Sequence, residues 1–397
     1  MSEKQFIVIG LSDSRSQWFT PEVSGIIATG HVFSGGRRHH EIVKDLLPSG
    51  CVWIDIVVPL DEVWTEYSGY ERIIVFASGD PLFYGFAATL RREFPDCLMA
   101  VYPSFNSIQM LAHRMLVPYA EIVNVSVTGR PWKGLDAAVI GQFRLIGVLT
   151  DHKKGPAEIA GRLLEYGYDN YMMTVGENLG NEDEELVRSY SLEEASGNTF
   201  SHPNCIILTK TYSRKRYFGI PETEFFHLEG RTNMITKMPV RLLTLSMLDL
   251  YGRHTLWDIG FCTGSVSIEA KLQFPSLEVV AFERREESRK LLVDNSRKFG
   301  TPGITGVIGD FMDCDLSRYP APDAVFIGGH GGRLDEMVCR IYKVLNKGGV
   351  IVFNSVSAES CHIFRKTVES CGGVIEAEHI HILILDDHNP ITILKAK

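Results

Sequence analysis

Residues 255–264 read TLWDIGFCTG, an apolar run that enters a turn at Gly260, and a helical pattern begins after Gly264. This order predicts a β-strand, a glycine turn and an α-helix. At the carboxyl end of a parallel strand, such a turn lets backbone N–H groups approach a ligand, and the helix N-terminus favours the ligand's negative parts. The apolar run also carries an acid, Asp258. We therefore predict that Asp258, Gly260 and Gly264 contribute to a ligand site.

Two further loops carry acids in the same way. A second apolar run, Leu277 to Phe282, ends in Glu283, whose carboxylate can accept hydrogen bonds from ribose hydroxyls. Gly309 and Asp310 follow a third run. Acids after successive strands predict a nucleoside-bearing cofactor. A nicotinamide cofactor remains an alternative, although it prefers GxGxxG and this turn reads GxxxG.

A fourth glycine-rich loop lies in residues 322–333, PDAVFIGGHGGR. Its glycines place bare backbone where an open α/β sheet binds ligands. His330 and Arg333 flank them, and a guanidinium suits a carboxylate through two parallel hydrogen bonds. The loop is therefore predicted to bind a ligand. The alternative is a tight strand-to-helix turn with no ligand.

The C-terminal part of the chain predicts a doubly wound parallel sheet, because five apolar runs alternate with helix-sized segments. These runs are Thr255–Ile259, Leu277–Phe282, Ile304–Ile308, Ala324–Ile327 and Val350–Phe353. The last stretch, HIHILILDDHNPITILK, predicts two strands joined by a turn at residues 387–390. We expect this antiparallel hairpin to lie at the sheet edge.

The N-terminal half predicts two small α/β lobes in series. Strands are expected at Phe6–Leu11, Val52–Val57, Arg72–Ala77, Leu98–Tyr102, Leu145–Leu149, Asn170–Val175 and Cys205–Thr209, and helices at Pro81–Phe94, Ser107–Leu116 and Pro156–Tyr166. Residues 211–231 lose this periodicity, which is typical of a connection between domains. We place the boundary near Arg216.

Two motifs of this half could meet a ligand. In SGDPLFYG, residues 78–85, Pro81 can open a helix, and Asp80 can either cap that helix or contact a ligand. In GGRRHH, residues 35–40, Arg37, Arg38 and His39 form a basic cluster. A solvated turn is the simpler interpretation of that cluster.

Amino-acid composition restricts the classes of protein and of binding partner that the sequence suggests. With 397 residues, 45% hydrophobic and 22% charged, the chain is an ordinary globular protein, and two domains are expected because single cores stop growing at roughly 250–300 residues. The net charge of −9 argues against nucleic-acid binding. Eight cysteines without a CxxC pair indicate reduced thiols, and we expect neither a signal peptide nor a membrane span. We expect a cytoplasmic protein with no metal and no membrane partner.

Several of these motifs resemble two known families. Residues 1–212 resemble the tetrapyrrole methylase family through SGDPLFYG, GGRRHH, PSFNSIQMLAHRM and VGENLGNEDE. The chain from about residue 218 resembles the decarboxylating precorrin methyltransferases through GIPETEFF, MITKMPVR, LWDIGFCTGSVSIEA, FIGGHGGR and LNKGGVIVFNSV. The resemblance implies a tetrapyrrole methylase domain over residues 1–212, a linker over 213–231 and a Rossmann-like class I methyltransferase domain over 232–397.

The resemblance also implies an activity. Fused proteins of this kind in corrinoid biosynthesis methylate carbons 5 and 15 of a precorrin-6 type macrocycle and decarboxylate its ring C acetate. The first domain is expected to methylate carbon 5, and the second to methylate carbon 15 and remove the carboxylate. Each domain should bind one S-adenosylmethionine, and the other partner should be the polycarboxylate tetrapyrrole. We further expect a homo-oligomer.

The family patterns assign residues to these sites. In the C-terminal domain the cofactor residues are Thr236, Gly260, Gly264, Glu283, Asp310 and Phe311. In the N-terminal domain they are Gly10, Asp80, Phe83, Ser107 and Ile108. Arg37, Arg38 and His39 are expected to bind substrate carboxylates, and His330 and Arg333 are expected to be the catalytic residues that position the ring C acetate.

The chain departs from these patterns in three places. Ser12 to Ser16 replace a second glycine of the first loop, and Pro239 stands where a glutamate is usual, although proline can still open a helix. Phe261 and Cys262 occupy the glycine turn, where smaller residues are common. Cys262 is either a reactive thiol or a small packing residue.

Two other functions remain open. Both folds also host RNA and protein methyltransferases, against which the negative charge counts. The glycine loop at residues 328–332 also lacks the Asn-Pro-Pro-aromatic or Asp-Pro-Pro-Tyr signature of enzymes that methylate exocyclic amino groups. Alternatively, the N-terminal domain serves only for assembly or substrate channelling.

Overall fold

A computed structural model describes residues 4–14, 16–382 and 391–396, and the chain divides into two compact units. The N-terminal unit comprises Met1–Arg130, Arg144–Gly161 and Tyr171–Thr211, and the C-terminal unit comprises Pro131–Phe143, Arg162–Asn170 and Tyr212–Lys397. The main division therefore falls between Thr211 and Tyr212. Two short segments that precede it in the sequence belong to the C-terminal unit.

The first lobe of the N-terminal unit is a parallel sheet of order β3-β2-β4-β1-β5. Its strands are β1 (Gln5–Leu11), β2 (Val32–Gly35), β3 (Val52–Asp55), β4 (Arg72–Ser78) and β5 (Leu98–Tyr102), and its helices are α1 (Pro21–Ala28), α2 (Arg37–Val43), α3 (Asp61–Ser68) and α4 (Phe86–Glu93). Phe6 and Val8 pack in one apolar cluster, whereas Ile7 and Ile9 pack in another. Burial on both faces explains the continuous apolar runs in these strands.

The second lobe is a sheet of order β6-β7-β10-β8-β9, in which only β6 and β7 pair in parallel. Its strands are β6 (Ile122–Ser126), β7 (Leu145–Leu149), β8 (Tyr171–Glu177), β9 (Leu186–Ser191) and β10 (Asn204–Lys210). The helices of this part of the chain are α5 (Ser107–Met115), α6 (Lys133–Ile140), α7 (Pro156–Glu165) and α8 (Leu192–Ser196). Of these, α6 belongs to the C-terminal unit.

The C-terminal unit is built on a sheet of order β13-β12-β11-β14-β15-β17-β16. Its strands are β11 (Thr255–Ile259), β12 (Glu278–Glu283), β13 (Ile304–Ile308), β14 (Ala324–Ile327), β15 (Val350–Ser355), β16 (Ile375–Ile382) and β17 (Ile391–Ala396). The helices are α9 (Met238–Leu248), α10 (Ser265–Gln273), α11 (Glu287–Phe299), α12 (Leu334–Tyr342) and α13 (Ala358–Ser370). β17 pairs antiparallel with both β15 and β16.

These sheets confirm the predicted fold class, including the doubly wound parallel sheet and its antiparallel edge. The predicted hairpin turn at residues 387–390 lies outside the described residues. Pro239 lies in the first turn of α9, as its ring geometry allows. Within the part of the chain that is described, no helix has the length and apolar character to cross a membrane.

The predicted helix Pro81–Phe94 is wrong at its start. The helix begins only at Phe86, because Tyr84 adopts a left-handed φ of 55° and interrupts the preceding turn. The Asp80 carboxylate accepts a hydrogen bond from the Leu82 nitrogen at 2.9 Å, so it closes a local turn and does not cap the helix. The short strands β2, β6 and β9 were not predicted from the sequence.

Candidate functional site

The loops at the carboxyl ends of β11 to β14 enclose a cavity of about 400 Å³, which we call the C-terminal pocket. The segment before α9 closes its other side. Seven residues predicted from the sequence line the pocket: Thr236, Gly260, Glu283, Asp310, Phe311, His330 and Arg333. Gly264 and Asp258 were also predicted at this site, but they are not part of the lining.

The glycine turn after β11 fits against the loop after β14. Gly260 has a φ of 82°, and its nitrogen donates a hydrogen bond to the Phe282 carbonyl at 2.8 Å. A Cβ at Gly260 would lie 2.7 Å from the backbone nitrogen of Gly329. The two loops can therefore meet only if the first carries a glycine here.

Phe261 and Cys262 are both accommodated in this turn. The Phe261 ring leaves the turn and packs with Ala281 and Leu292 in a small apolar cluster. Cys262 has a left-handed φ of 48°, and its thiol donates to the Met234 carbonyl at 3.1 Å. Burial, followed by the nearby Glu283 carboxylate, raises the pKa of the Cys262 thiol to about 11. Cys262 is therefore a packing residue, because its thiol is buried and already bonded to a backbone carbonyl.

Gly264 acts at the start of α10. It has a φ of 78° and is the N-cap of that helix, and a Cβ there would lie 2.5 Å from the Leu292 Cδ1. Asn295, which is fully buried, donates from Nδ2 to the Thr263 carbonyl at 2.9 Å and so fixes the preceding residue. Gly264 thus shapes the turn from behind the pocket.

Asp258 is fully buried beneath the same turn. Its Oδ2 accepts hydrogen bonds from the Ser267 backbone nitrogen at 3.1 Å and hydroxyl at 2.5 Å. Its Oδ1 has no hydrogen-bond partner among the described residues. Burial, with a smaller contribution from Glu283, raises the pKa of Asp258 to about 7. Asp258 therefore holds the first turn of α10 in place.

Glu283 lies at the end of β12 with only 4% of its surface exposed. Its Oε1 accepts hydrogen bonds from the backbone nitrogens of Arg284 at 2.9 Å and Arg285 at 3.1 Å. Its Oε2 lies 3.2 Å from the backbone nitrogen of Cys262. These donors fix the carboxylate on the pocket wall beside the glycine turn.

The loop after β13 supplies an acid and an aromatic wall. Asp310 is exposed, and its Oδ1 accepts a hydrogen bond from the Met312 nitrogen at 2.9 Å. Phe311 is buried, and its ring meets that of Phe282 edge to face at 5.1 Å. One wall of the pocket therefore combines a charged edge with an apolar face.

His330 and Arg333 both lie in the loop after β14. The Gly332 nitrogen donates to Nδ1 of His330 at 3.2 Å, so the ring proton is assigned to Nε2. Burial lowers the pKa of His330 and so favours its neutral imidazole. Arg333 is exposed and forms a bidentate pair with Glu336 at 3.0 and 2.6 Å. A substrate carboxylate would compete with Glu336 for this guanidinium.

A buried ion pair that was not predicted from the sequence supports the Thr236 side of the pocket. Arg241 and Glu269 are fully buried, with Nε and Oε2 at 2.6 Å. Arg241 also donates from Nη1 to the Thr236 carbonyl at 2.7 Å, and Glu269 accepts a hydrogen bond from the Gly219 nitrogen. The two residues lie 28 positions apart in different helices, so no local sequence pattern predicts that they pair.

A second cavity, of about 570 Å³, lies between the two lobes of the N-terminal unit. We call it the N-terminal cleft. Four of the predicted residues line it: Arg38, His39, Phe83 and Ser107. Four others do not: Gly10, Arg37, Asp80 and Ile108. A Cβ at Gly10 would lie 2.6 Å from the Ser104 nitrogen, so this glycine permits a close backbone approach beneath the cleft.

Ser78 joins the basic residues of the cleft. Its hydroxyl oxygen accepts a hydrogen bond from Arg38 at 3.1 Å and lies 2.9 Å from the His39 Nε2. The Gly36 nitrogen donates to the His39 Nδ1 at 3.2 Å, which leaves the ring proton on Nε2. Burial, followed by the charge of Arg38, lowers the pKa of His39 to about 4. At neutral pH the positive charge of this cluster therefore comes from the arginines.

Arg130 lines the opposite side of the cleft and was not predicted. Its guanidinium lies 5.0 Å from the centre of the Tyr84 ring and donates to the Ser126 hydroxyl at 2.9 Å. The cleft thus carries one arginine on each lobe. A single arginine in a turn gives no sequence signal that distinguishes it from a solvated side chain.

Comparisons with known proteins match both units. Residues 5–195 match the family of tetrapyrrole (corrin/porphyrin) methylases, and residues 224–383 match the precorrin methyltransferase domain. A precorrin-6Y C(5,15)-methyltransferase (decarboxylating) from Sinorhizobium sp. is 30% identical over 355 residues, which cover 89% of this chain and 84% of that protein. A cobalt-precorrin-6B C(15)-methyltransferase (decarboxylating) from Salmonella typhimurium is 39% identical over 135 residues, covering 34% of this chain and 69% of that protein.

A solved structure is also similar. It is a precorrin-6Y C5,15-methyltransferase from Geobacter metallireducens, with 34% identity and a TM-score of 0.42. The similarity covers 45% of this chain and 97% of that one.

Proposed function

The chain belongs to the family of decarboxylating precorrin-6Y C(5,15)-methyltransferases, and we propose that it performs the two methylations in two separate sites, one in each unit. Carbon 15 methylation and loss of the ring C acetate carboxylate are assigned to the C-terminal pocket. Carbon 5 methylation is assigned to the N-terminal cleft. The observation that carries this proposal is that each unit has its own ligand-sized cavity at the carboxyl ends of parallel strands.

The C-terminal pocket fits S-adenosylmethionine in size and chemistry. Its volume of about 400 Å³ lies in the usual range of about 300–1,000 Å³ for small-molecule sites. Glu283 would accept hydrogen bonds from the ribose hydroxyls, and Phe311 would offer an apolar wall to the adenine. The open backbone at Gly260 would face the methionine part. When bound, this cofactor supplies an electrophilic methyl group.

The N-terminal cleft fits a large anionic substrate beside a second cofactor. Arg38 and Arg130 lie on opposite lobes, so they could hold carboxylates on two edges of one macrocycle. Ser78 accepts hydrogen bonds from two side chains, which leaves its own hydroxyl proton free to donate to a ligand. Phe83 and Ser107 line the part of the cleft assigned to the cofactor.

The chemistry asks mainly for positioning. A meso carbon of the reduced macrocycle is an enamine-like nucleophile, and little acid–base assistance is needed. The residues around each cavity must hold that carbon at a near-attack distance of about 3–3.5 Å and exclude water. Buried apolar side chains such as Phe282 and Phe311 suit the second task.

Decarboxylation requires that the ring C acetate be held and partly desolvated, because its electrons return to the conjugated system as carbon dioxide leaves. We assign this positioning to His330 and Arg333. Arg333 would exchange Glu336 for the substrate carboxylate, and the neutral His330 would donate from Nε2. Both side chains line the same pocket as Glu283.

Mass spectrometry of the product tests the proposal. The chain would be incubated with the metal-free precorrin-6 substrate and S-adenosylmethionine. Two methyl additions and one loss of carbon dioxide are expected. A single methyl addition without that loss would remove the C-terminal assignment. One methyl addition accompanied by the loss would instead make the N-terminal unit a non-catalytic domain. The homo-oligomeric state remains a prediction, which light scattering would test.

A further inference from the structure

Two cysteines of the C-terminal unit lie side by side on neighbouring helices. Cys339 belongs to α12, and Cys371 is the C-cap of α13. Their sulfurs are 3.2 Å apart, and both residues are free and partly exposed. A disulfide bond is about 2.05 Å long, so the sulfurs need to approach by only about 1 Å. A small side-chain rotation provides a movement of this size.

The pair is open to a reagent from solvent. Cys339 lines a surface groove of about 550 Å³, together with Leu316, Arg340 and Lys343. The ammonium group of Lys343 is exposed and lies near the Cys339 thiol. The hydrogen bond with the Cys371 thiol, followed by burial, raises the pKa of Cys339, whereas the Lys343 charge acts in the opposite direction and favours an anionic reagent.

Four other thiols of the molecule lack this arrangement. Cys205 is fully buried, and burial raises its pKa to about 12. The Cys262 thiol donates to a backbone carbonyl inside the glycine turn. Cys314 donates to the Asp310 carbonyl at 3.3 Å, and Cys361 packs against the apolar core of the C-terminal unit. Each of these sulfurs is therefore occupied by backbone or core contacts instead of facing a second thiol.

We propose that Cys339 and Cys371 are a redox-active pair that closes to an intramolecular disulfide by exchange with a small disulfide such as oxidised glutathione. One thiolate attacks the oxidant, which breaks its S–S bond, forms a mixed disulfide and releases one glutathione thiolate. The second cysteine thiolate then displaces the remaining glutathione. The protein loses two electrons and two protons, and two glutathione thiols are formed.

The disulfide would join α12, which borders the C-terminal pocket, to the end of α13. α12 begins directly after Arg333 and carries Met337, which lines the pocket. Arg340, on the same helix, donates to the carbonyls of Met312 and Cys314 in the loop that follows Asp310. The cross-link would therefore connect α12, which supports the pocket loops after β13 and β14, to the end of α13. This chemistry is independent of methyl transfer.

The test uses the full chain in buffers of decreasing ratio of reduced to oxidised glutathione. Samples are quenched with acid, alkylated with N-ethylmaleimide and digested without reduction. We expect a linked peptide that contains Cys339 and Cys371, formed by oxidised glutathione and opened again by reduced glutathione. Cys314 and Cys361 should remain alkylated throughout.

Variants sharpen the result. Cys339→Ser should yield no linked peptide and should accumulate a glutathione adduct on Cys371, whereas Cys361→Ser should behave as the unchanged protein. The proposal is overturned if both thiols stay alkylated across the wild-type titration. It is equally overturned if the unchanged protein stops at a stable mixed disulfide, or if the link forms only with a strong oxidant such as diamide.

Discussion

Gly260 and Gly329 lie against each other, such that a Cβ on Gly260 would be 2.7 Å from the Gly329 backbone nitrogen. This close approach packs the turn after β11 against the loop after β14. The Gly328 nitrogen donates to the Ile259 carbonyl at 2.8 Å and holds the two loops together. The same turn donates from the Cys262 nitrogen to Glu283, so it connects the proposed cofactor residue to the proposed substrate loop at His330.

The substitution Gly260→Ala should open the junction between these two loops. The added Cβ would clash with the backbone of Gly329, so the two loops would have to move apart. The C-terminal pocket should therefore lose its affinity for S-adenosylhomocysteine. Gly252→Ala is the matched control, because Gly252 also has a positive φ of 76° but a Cβ there would meet no atom within 4 Å. In both variants the left-handed backbone at the alanine lowers the free energy of unfolding by about 1–2 kcal/mol. Equal cofactor affinity in the two variants, measured by calorimetry, would contradict the junction.

The substitution Glu283→Gln should disable the C-terminal site alone. A neutral amide cannot replace the charge-assisted hydrogen bonds, which are worth about 1.5–3 kcal/mol, so cofactor affinity should fall about 10- to 100-fold. Product mass spectrometry under limiting cofactor should then show one methyl addition and no loss of carbon dioxide. Glu286→Gln, on the exposed side of the same loop, is the control and should give the full product. A Glu283→Gln product that is complete would show that the ribose assignment is wrong.

The buried ion pair between Arg241 and Glu269 should be required for stability. Arg241→Met leaves the Glu269 carboxylate uncompensated in the core and should lower the free energy of unfolding by about 3–5 kcal/mol. The control is Arg289→Met, which removes an exposed pair with Glu286 and should cause no measurable change. Urea unfolding followed by tryptophan fluorescence measures both. Similar midpoints for the two variants would contradict the role assigned to this pair.

The N-terminal cleft should lose stability in acid. The pKa of His39 falls from 6.5 to about 4 in the folded protein, so the native state binds fewer protons than the unfolded state between these values. Its contribution is fully present above pH 6.5 and is lost as the pH falls towards 4. His39→Gln should flatten the pH dependence of the unfolding free energy in this window. A His39 imidazole signal, assigned by its loss in His39→Gln, that titrates near 6.5 in nuclear magnetic resonance spectra would contradict this prediction.

The sequence predicted the parts of the site that follow from local pattern. The order of apolar strand, glycine turn and helix placed Gly260, and the position at the end of the next strand placed Glu283. Both depend on spacing along the chain. Asp258 shows the limit of that reasoning, because the same strand pattern could not tell that its carboxylate turns inward to Ser267.

Other features depend on packing between distant residues. The pairing of Arg241 with Glu269 and the hydrogen bond from Asn295 to Thr263 join separate helices and loops, and no periodicity encodes them. β9 was missed because its half-exposed residues show no clear alternation. The start of α4 was misplaced because the left-handed backbone at Tyr84 has no signature in a tyrosine side chain.

The most direct test of two methyl-donor sites is the stoichiometry of S-adenosylhomocysteine binding to the full chain by isothermal titration calorimetry. We expect two molecules bound per chain. Glu283→Gln should weaken one of these sites and leave the other unchanged. A stoichiometry of one for the unchanged protein, or a loss of both sites in Glu283→Gln, would contradict the assignment of two methyl-donor sites.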